Sequence, residues 1–200
     1  MRNRTSAQHQ KSEASKQSIL DAALRLVLKN GFEATAIRDI CKEAGLSIGA
    51  FYHHYPSKDA LMNEAFLHFD STLDEDAAAI KYDELPPVDA ICAVLVDQTV
   101  FTANAGYSVI TQYYRALLQN QNRSAVSPER AYYQNVCKHV RRAQQAGDIT
   151  DGLDAETVSE MLIKYVRGNL VDWCLHDGAY DVGKATETEL RVLMRSFLGQ

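Results

Sequence analysis

The stretch Leu46–Leu61 reads LSIGAFYHHYPSKDAL. It sets Phe51, Tyr52 and Tyr55 beside the adjacent pair His53 and His54, and follows them with Pro56, Ser57 and Lys58. Two chemistries suit such residues. The histidines, taken with His68 and Asp70, suggest metal ligation. The hydroxyls, imidazoles and lysine suggest contacts to phosphate oxygens. The metal reading is the weaker, because neighbouring residues on a helix point in different directions and His68 lies one helix later. The chain also lacks HExxH, GxSxG and a glycine-rich phosphate loop, so no catalytic residues, metal ligands or cofactor are expected and the protein is not read as an enzyme.

The elements that hold this stretch are helical. Ile19, Ala22, Ala23, Leu26 and Val27 form one apolar stripe after a candidate N-cap at Ser15, and Asn30-Gly31 marks its end. Ile37, Ile40, Cys41 and Ala44 form a second stripe that stops at Gly45. Ser47 can cap a third, short helix, which Pro56 ends. Ser57 then starts a fourth helix with the stripe Leu61, Ala65, Phe69 and Leu73. Two short helices joined by Ala44-Gly45-Leu46 have helix-turn-helix dimensions, the second being the reader. On the reader, Phe51 and Tyr55 share a face and are expected in the core. Tyr52 can carry a hydroxyl to a phosphate, one of His53 and His54 can do the same, and Gly49 and Ala50 permit close approach of the backbone. Lys58 opens the next helix, where a cation opposes the helix dipole unless an anion sits there too.

The segment Lys16–Leu61, carrying ILDAALRLVLKNGFEATAIRDICKEAGLSIGAFYHHYPSKDAL, resembles the DNA-binding domain of the tetracycline-repressor (TetR) family. The resemblance implies a homodimer that sets its two third helices into the major groove of a pseudo-palindromic operator. By family position Ile48, Gly49, Ala50 and Tyr52 would face the groove, and Arg38 would reach a base or phosphate. Thr35, Ser47, His54 and Lys58 would hold the DNA backbone. Ala36 stands where the family commonly has a second hydroxyl residue, at a cost of about 1 kcal/mol in helix capping. Ile48 offers bases only apolar contact, such as to a thymine methyl.

Beyond a break at KYDELPP, helices are expected near 87–104, 107–120, 128–146, 154–177 and 184–198, giving an all-α fold of about nine helices. Residues 158–175 are apolar on nearly every side, which implies two buried faces. With Leu190, Leu193, Met194, Phe197 and Leu198 on the last helix, they would form half of an intersubunit four-helix bundle. The family resemblance makes this body the seat of a small effector that shifts the fourth helix and weakens operator binding. Phe101, Tyr113, Tyr133, Cys137, Tyr165, Asn169 and Trp173 are the candidate lining, for a moderately apolar or amphipathic molecule. The alternative is a DNA-binding regulator without a small-molecule ligand, controlled by a protein partner.

Charge agrees with a division of labour. Residues 1–58 hold nine lysines and arginines against five acids, whereas 59–200 hold twelve against twenty-one. A basic head on an acidic body suits a polyanion at one end and disfavours a multiply anionic effector at the other. The expected domains are a disordered basic tail at 1–15, a helix-turn-helix domain at 16–60, and a ligand-binding and dimerisation domain at 61–200. Arg2, Arg4 and Lys11 would make the tail a DNA-binding arm. Cys41, Cys92, Cys137 and Cys174 show no paired spacing and are expected to be buried, reduced thiols. No run nears the ~18 apolar residues of a membrane span, and no secretory signal opens the chain, so a cytoplasmic protein is expected.

Overall fold

Helices dominate because every apolar stripe in the chain repeats at helical spacing and is punctuated by left-handed glycines. Gly45, with φ 67°, closes one helix: Leu46 N–H donates to Cys41 O at 2.9 Å and Gly45 N–H to Lys42 O at 3.2 Å. The computed structural model describes residues 2–119, 126–150 and 152–196, with side chains outside 2–8, 67–74 and 76–78. Among them are nine helices and no strand: α1 (Arg2–Asn30), α2 (Ile37–Ala44), α3 (Ile48–His54), α4 (Lys58–Ala79), α5 (Pro87–Ala103), α6 (Tyr107–Gln119), α7 (Ala131–Ala146), α8 (Ala155–Leu175) and α9 (Val182–Arg195). The all-α expectation holds. Two compact units divide the chain, Met1–Phe69 and Asp70–Gln200, with α4 running through the division.

In the first unit α1 begins at Arg2, where the sequence reading placed an unstructured tail through residue 15. Ser15 is no N-cap: its hydroxyl donates to Lys11 O at 2.9 Å, one turn back inside the helix. Residues 2–15 contain neither glycine nor proline. Helix can therefore propagate through them, although they bury too little to leave a periodic signal. The side chains of Arg2 and Arg4 lie outside the described set, as do those of Phe69 and Leu73. Ile19, Ala22, Ala23 and Val27 of α1 are buried with Ile40 and Cys41 of α2, Phe51 of α3, and Leu61 and Ala65 of α4. An ion pair from Lys16 to Glu64 (2.8 Å) ties α1 to α4.

In the second unit α5 packs against α7, α8 and α9, and Ile91, Leu95, Val136, Val140, Leu162 and Leu190 fill the centre. Aspartates cap the last two helices. Asp154 accepts from Thr157 N–H at 2.7 Å, and Asp181 accepts from Lys184 N–H at 3.0 Å. Gly183 lies so near α5 that a Cβ there would meet Val100 at 2.6 Å. Helix α8 buries Val158, Leu162, Ile163, Val166, Leu170 and Trp173, while Met161, Val171 and Leu175 stay exposed, as does Val192 of α9. Phe197 and Leu198 fall outside the described residues. Cys41, Cys92 and Cys137 are buried free thiols as expected, but Cys174 is partly exposed. No single helix among the described residues is long and apolar enough to cross a membrane.

A polar knot holds the α4–α5 connection on α7. Lys138 pairs with Asp83 at 2.6 Å, Arg142 donates to the carbonyls of Asp83 (3.0 Å) and Leu85 (3.3 Å), and Tyr82 donates to Asp97 at 3.0 Å. Arg142 also donates to Nδ1 of His139 at 2.8 Å. A guanidinium cannot accept, so that nitrogen must be unprotonated and the ring neutral. Burial holds the His139 pKa below its ordinary value, and the charges of Arg142 and Lys138 lower it further against the opposing pull of Asp83. The unfolded chain therefore takes up a proton before the folded one does. Stability is complete above about pH 6.5 and falls as pH drops below it. His139→Asn keeps an acceptor for Arg142 but removes the proton site. We expect the variant to lose the fall in melting temperature between roughly pH 6.5 and 5 that the wild type shows. Parallel thermal melts check this.

Candidate functional site

The third helix has only seven residues, IGAFYHH, so its direction is set by its ends and by what it buries. Ser47 caps it, its oxygen accepting from Ala50 N–H at 3.1 Å, which leaves the hydroxyl proton outside the cap. At the far end Tyr55 N–H returns to Phe51 O at 2.8 Å before Pro56. Phe51 is fully buried and Tyr55 nearly so, as the spacing predicts. The Tyr55 hydroxyl is buried with no hydrogen-bond partner among the described residues, and burial raises its pKa, so it stays neutral.

The opposite face is open. Ile48 is 49% exposed and Tyr52 53% exposed, with Gly49 and His53 exposed beside them and Ala50 and His54 half-buried. The Tyr52 ring stands edge-on to Phe51, with centroids 5.3 Å apart, so a buried aromatic fixes the exposed one. Gly49 sits in ordinary helical backbone, and a Cβ there would meet nothing closer than Ser47 Oγ at 3.7 Å. The fold does not require glycine at this position. Arg38 on α2 is 82% exposed in its side chain, with Asp39 at 3.7 Å. Ala36 caps α2 with no side-chain hydrogen bond, as its residue type dictates.

Two expected backbone-holding residues are placed differently. Thr35 is 1% exposed, and its hydroxyl donates to Gly31 O at 2.8 Å. Lys58 donates to Phe32 O at 2.8 Å and Thr35 O at 3.0 Å, with its ammonium 4.0 Å from the centre of the Phe32 ring. It therefore ties the α1–α2 loop to the start of α4 instead of reaching outward. The Thr35 carbonyl, and the Phe32 carbonyl that also accepts from Thr35 N–H at 3.2 Å, draw it inward, and the sequence alone does not show where those carbonyls point. Among the described residues no cluster of histidine, cysteine and carboxylate side chains suits a metal, and the side chains of His68 and Asp70 lie outside that set.

The second unit carries a forked cleft among α5, α6, α7 and α8. One arm, of 60 Å³, is lined by Gln98, Tyr113, Leu117, Val166 and Leu170; the other, of 280 Å³, by Pro128, Tyr133, Glu160 and Lys164. Arg130, Tyr132, Ile163 and Arg167 line both. Of the seven expected lining residues, Tyr113 and Tyr133 are in place. Tyr165 and Asn169 donate instead to Glu189 of α9, at 2.7 and 2.8 Å, and Trp173 donates to Tyr180 O at 2.9 Å. Cys137 is buried in the core, and Phe101 is exposed on α5 away from the described lining. Arg130 and Arg167 were not anticipated. An arginine inside the apolar run of α8 is the signal that marks the second of them.

Loss of the Lys58 clasp takes the ammonium from the Thr35 carbonyl and leaves the Phe32 carbonyl with only the Thr35 N–H. We expect Lys58→Ala to destabilise the first unit by about 1–3 kcal/mol in urea unfolding. Its dependence of DNA affinity on salt should stay close to that of the wild type, because no phosphate contact is lost.

Comparison with known proteins places these features. Residues 19–65 match the family model for bacterial regulatory proteins of the tetR family. The HTH-type transcriptional regulator UidR of Escherichia coli (strain K12) is 25% identical over 168 residues, covering 80% of this chain and 82% of that protein. Among solved structures, a TetR-family transcriptional regulator from Pectobacterium atrosepticum has a TM-score of 0.68 at 18% identity, covering 95% of this chain and 97% of that one. Thermus thermophilus FadR, a TetR-family repressor in complex with lauroyl-CoA, has a TM-score of 0.63 at 20% identity, covering 92% and 96%. At these identities the two structures establish the shared fold. Residues 19–65 thus match the tetR-family DNA-binding segment, and over most of its length the chain is similar to a transcriptional regulator.

Proposed function

We propose that the protein binds a pseudo-palindromic operator as a homodimer, most simply as a repressor, and is released by a small amphipathic effector held in the second unit. The observation that carries this reading is the division of α3. Phe51 and Tyr55 anchor one face, while Ile48, Gly49, Ala50, Tyr52 and His53 offer the other to solvent. A soluble domain gains nothing by leaving isoleucine and tyrosine side by side on a seven-residue helix, whereas a major groove accepts them. Ser47, Arg38 and His54 lie around that face and would contact backbone phosphates. Lys58 and Thr35 would act indirectly, by fixing the loop that positions α2. A duplex DNA target would put the protein's work in the cytoplasm.

The exposed side of α8 supports dimerisation through the last two helices. Met161, Gly168 and Leu175 recur every seventh residue, with Val171 beside them and Val192 on α9. Gly168 has open space where a Cβ would stand, which suits the close approach of a second helix. The forked cleft supports an effector, and the lauroyl-CoA held by the Thermus thermophilus relative shows that this fold accommodates amphipathic ligands. Effector and operator would compete through a two-state equilibrium, with a coupling of about 1–3 kcal/mol.

Selection of bound DNA from random duplexes tests the reading. We expect two half-sites with centres about 34–36 Å apart, and a single half-site or no enrichment at low salt would overturn it. Two tyrosine variants separate reading from packing. Tyr52→Phe should weaken operator binding by roughly twofold to tenfold with an unchanged melting temperature. Tyr55→Phe removes an unpartnered buried hydroxyl, so it should leave binding intact and stability equal or higher. Gly49→Ala should raise helix stability by up to about 1 kcal/mol while weakening DNA binding, because the methyl group enters the contact face.

A further inference from the structure

Helix α8 carries an ordered row of charges on its open side. Steps of four residues either way from Gly168 give Glu160, Lys164, Gly168, Asp172 and His176, the last being the C-cap residue. Residues four apart form one ridge on a helix surface, so the ridge reads acid, base, glycine, acid, base. Along it Glu160 meets Lys164 at 2.8 Å, and Asp172 lies 3.4 Å from His176 Nδ1. Tyr180, a phenol, also donates to Asp172 at 2.8 Å. All four charged side chains are more than half exposed, and Glu160 and Lys164 also border the wide arm of the cleft. Turned end for end about Gly168, the ridge presents the opposite sign at every position. Met161 and Leu175, seven residues to either side of Gly168, exchange at the same time, apolar for apolar.

We infer that α8 is met by α8 of a second copy of this chain, antiparallel, with Gly168 of both copies at the crossing and Lys164 of each paired with Asp172 of the other. The inference rests on the homodimer reading and goes beyond it by fixing direction and register. The same two-fold operation brings Glu160 opposite His176 of the second copy, so no like charges face each other along the ridge. Other arrangements lose this property. Parallel packing sets Lys164 against Lys164, and an antiparallel slip of one ridge step sets Glu160 against Asp172. Packing of such ridges is the commonest helix–helix class, with axes crossing at about 50° and separated by about 8–10 Å. A glycine at the crossing permits the close end of that range. Glycine weakens a helix interior relative to alanine, and a Cβ at Gly168 would meet nothing within 4 Å, so the chain's own packing does not call for it. Met161, Val171 and Leu175, with Val192 of α9, are exposed beside the ridge and would lose water on either side of the crossing.

Three variants of the full chain test the register. In the homodimer Lys164→Asp sets two acids against each other at both symmetric contacts, and Asp172→Lys does the same with two lysines. Each should raise the dimer Kd about tenfold or more in sedimentation equilibrium. Mixed in equal amounts, one of them labelled with ¹⁵N, the two variants restore both pairs in the heterodimer. Native mass spectrometry should then find the heterodimer as about nine-tenths of all dimers, against the half that random exchange gives. A variant that merely misfolds does not produce that preference. Gly168→Leu should weaken the dimer at least as much while its circular dichroism stays that of a helical protein. Random pairing of the two charge variants, wild-type Kd in either of them, or full dimerisation of Gly168→Leu overturns the inference; with a dimeric wild type, the homodimer reading then stands in another register. A wild-type chain that stays monomeric at micromolar concentration removes both.

Discussion

A helix of seven residues does not persist on its own, and α3 depends on that constraint. Its rotation is set by Phe51 beneath it, its start by Ser47, and its end by the Tyr55 turn before Pro56. Once Phe51 is fully buried, the helical repeat turns Ile48, Tyr52 and His53 toward solvent without further instruction. The exposed face is the geometric complement of the buried one. The head therefore needs a stable core more than it needs strong local helix propensity in α3. That core is tied at its margins by Lys16 with Glu64 and by Lys58 with the carbonyls of Phe32 and Thr35.

The second unit solves a different problem. It encloses a cleft without losing its core, and many of its polar groups are paired with one another. Tyr165, Asn169 and Thr186 meet Glu189 or each other across α8 and α9, and Trp173 spends its N–H on Tyr180. These contacts fix the frame. Arg167 at the fork belongs to the opposite side of α8, where Ile163, Val166 and Leu170 provide an apolar wall, and Arg130 comes from the start of α7. One helix thus serves as frame on one side and as wall on another, which explains why its sequence is apolar at nearly every angle. The knot around Asp83, His139 and Arg142 anchors the α4–α5 connection on α7.

Much of the fold was legible in the chain. Apolar spacing located the helices, the all-α class followed, and the buried face of α3 was readable from the separation of Phe51 and Tyr55. The start of α1 was not readable, because a solvated helix without breakers resembles a disordered segment when nothing periodic is buried. In the site, Ser47 and Tyr52 stood where residue type and position placed them, whereas Lys58 turned inward. A lysine with a free end and a lysine over a ring with two carbonyls in reach have identical local sequences. The cleft was the least legible feature. Aromatic content and helix position pointed to Trp173, Tyr165 and Cys137, which the core and the α8–α9 seam had already claimed.

By itself the sequence determined the helix count, the helix-turn-helix spacing, the cap at Ser47, and the opposition of a basic head to an acidic body. These are local properties, set by propensity, periodicity and charge within a few turns of chain. Tertiary structure alone decided which carbonyls Lys58 meets, that Thr35 is buried, and that Arg130 and Arg167, far apart along the chain, line one cleft. The physical reason is distance. A side chain's partner is fixed by where the packed helices bring other groups, and that arrangement exists only once the core has closed.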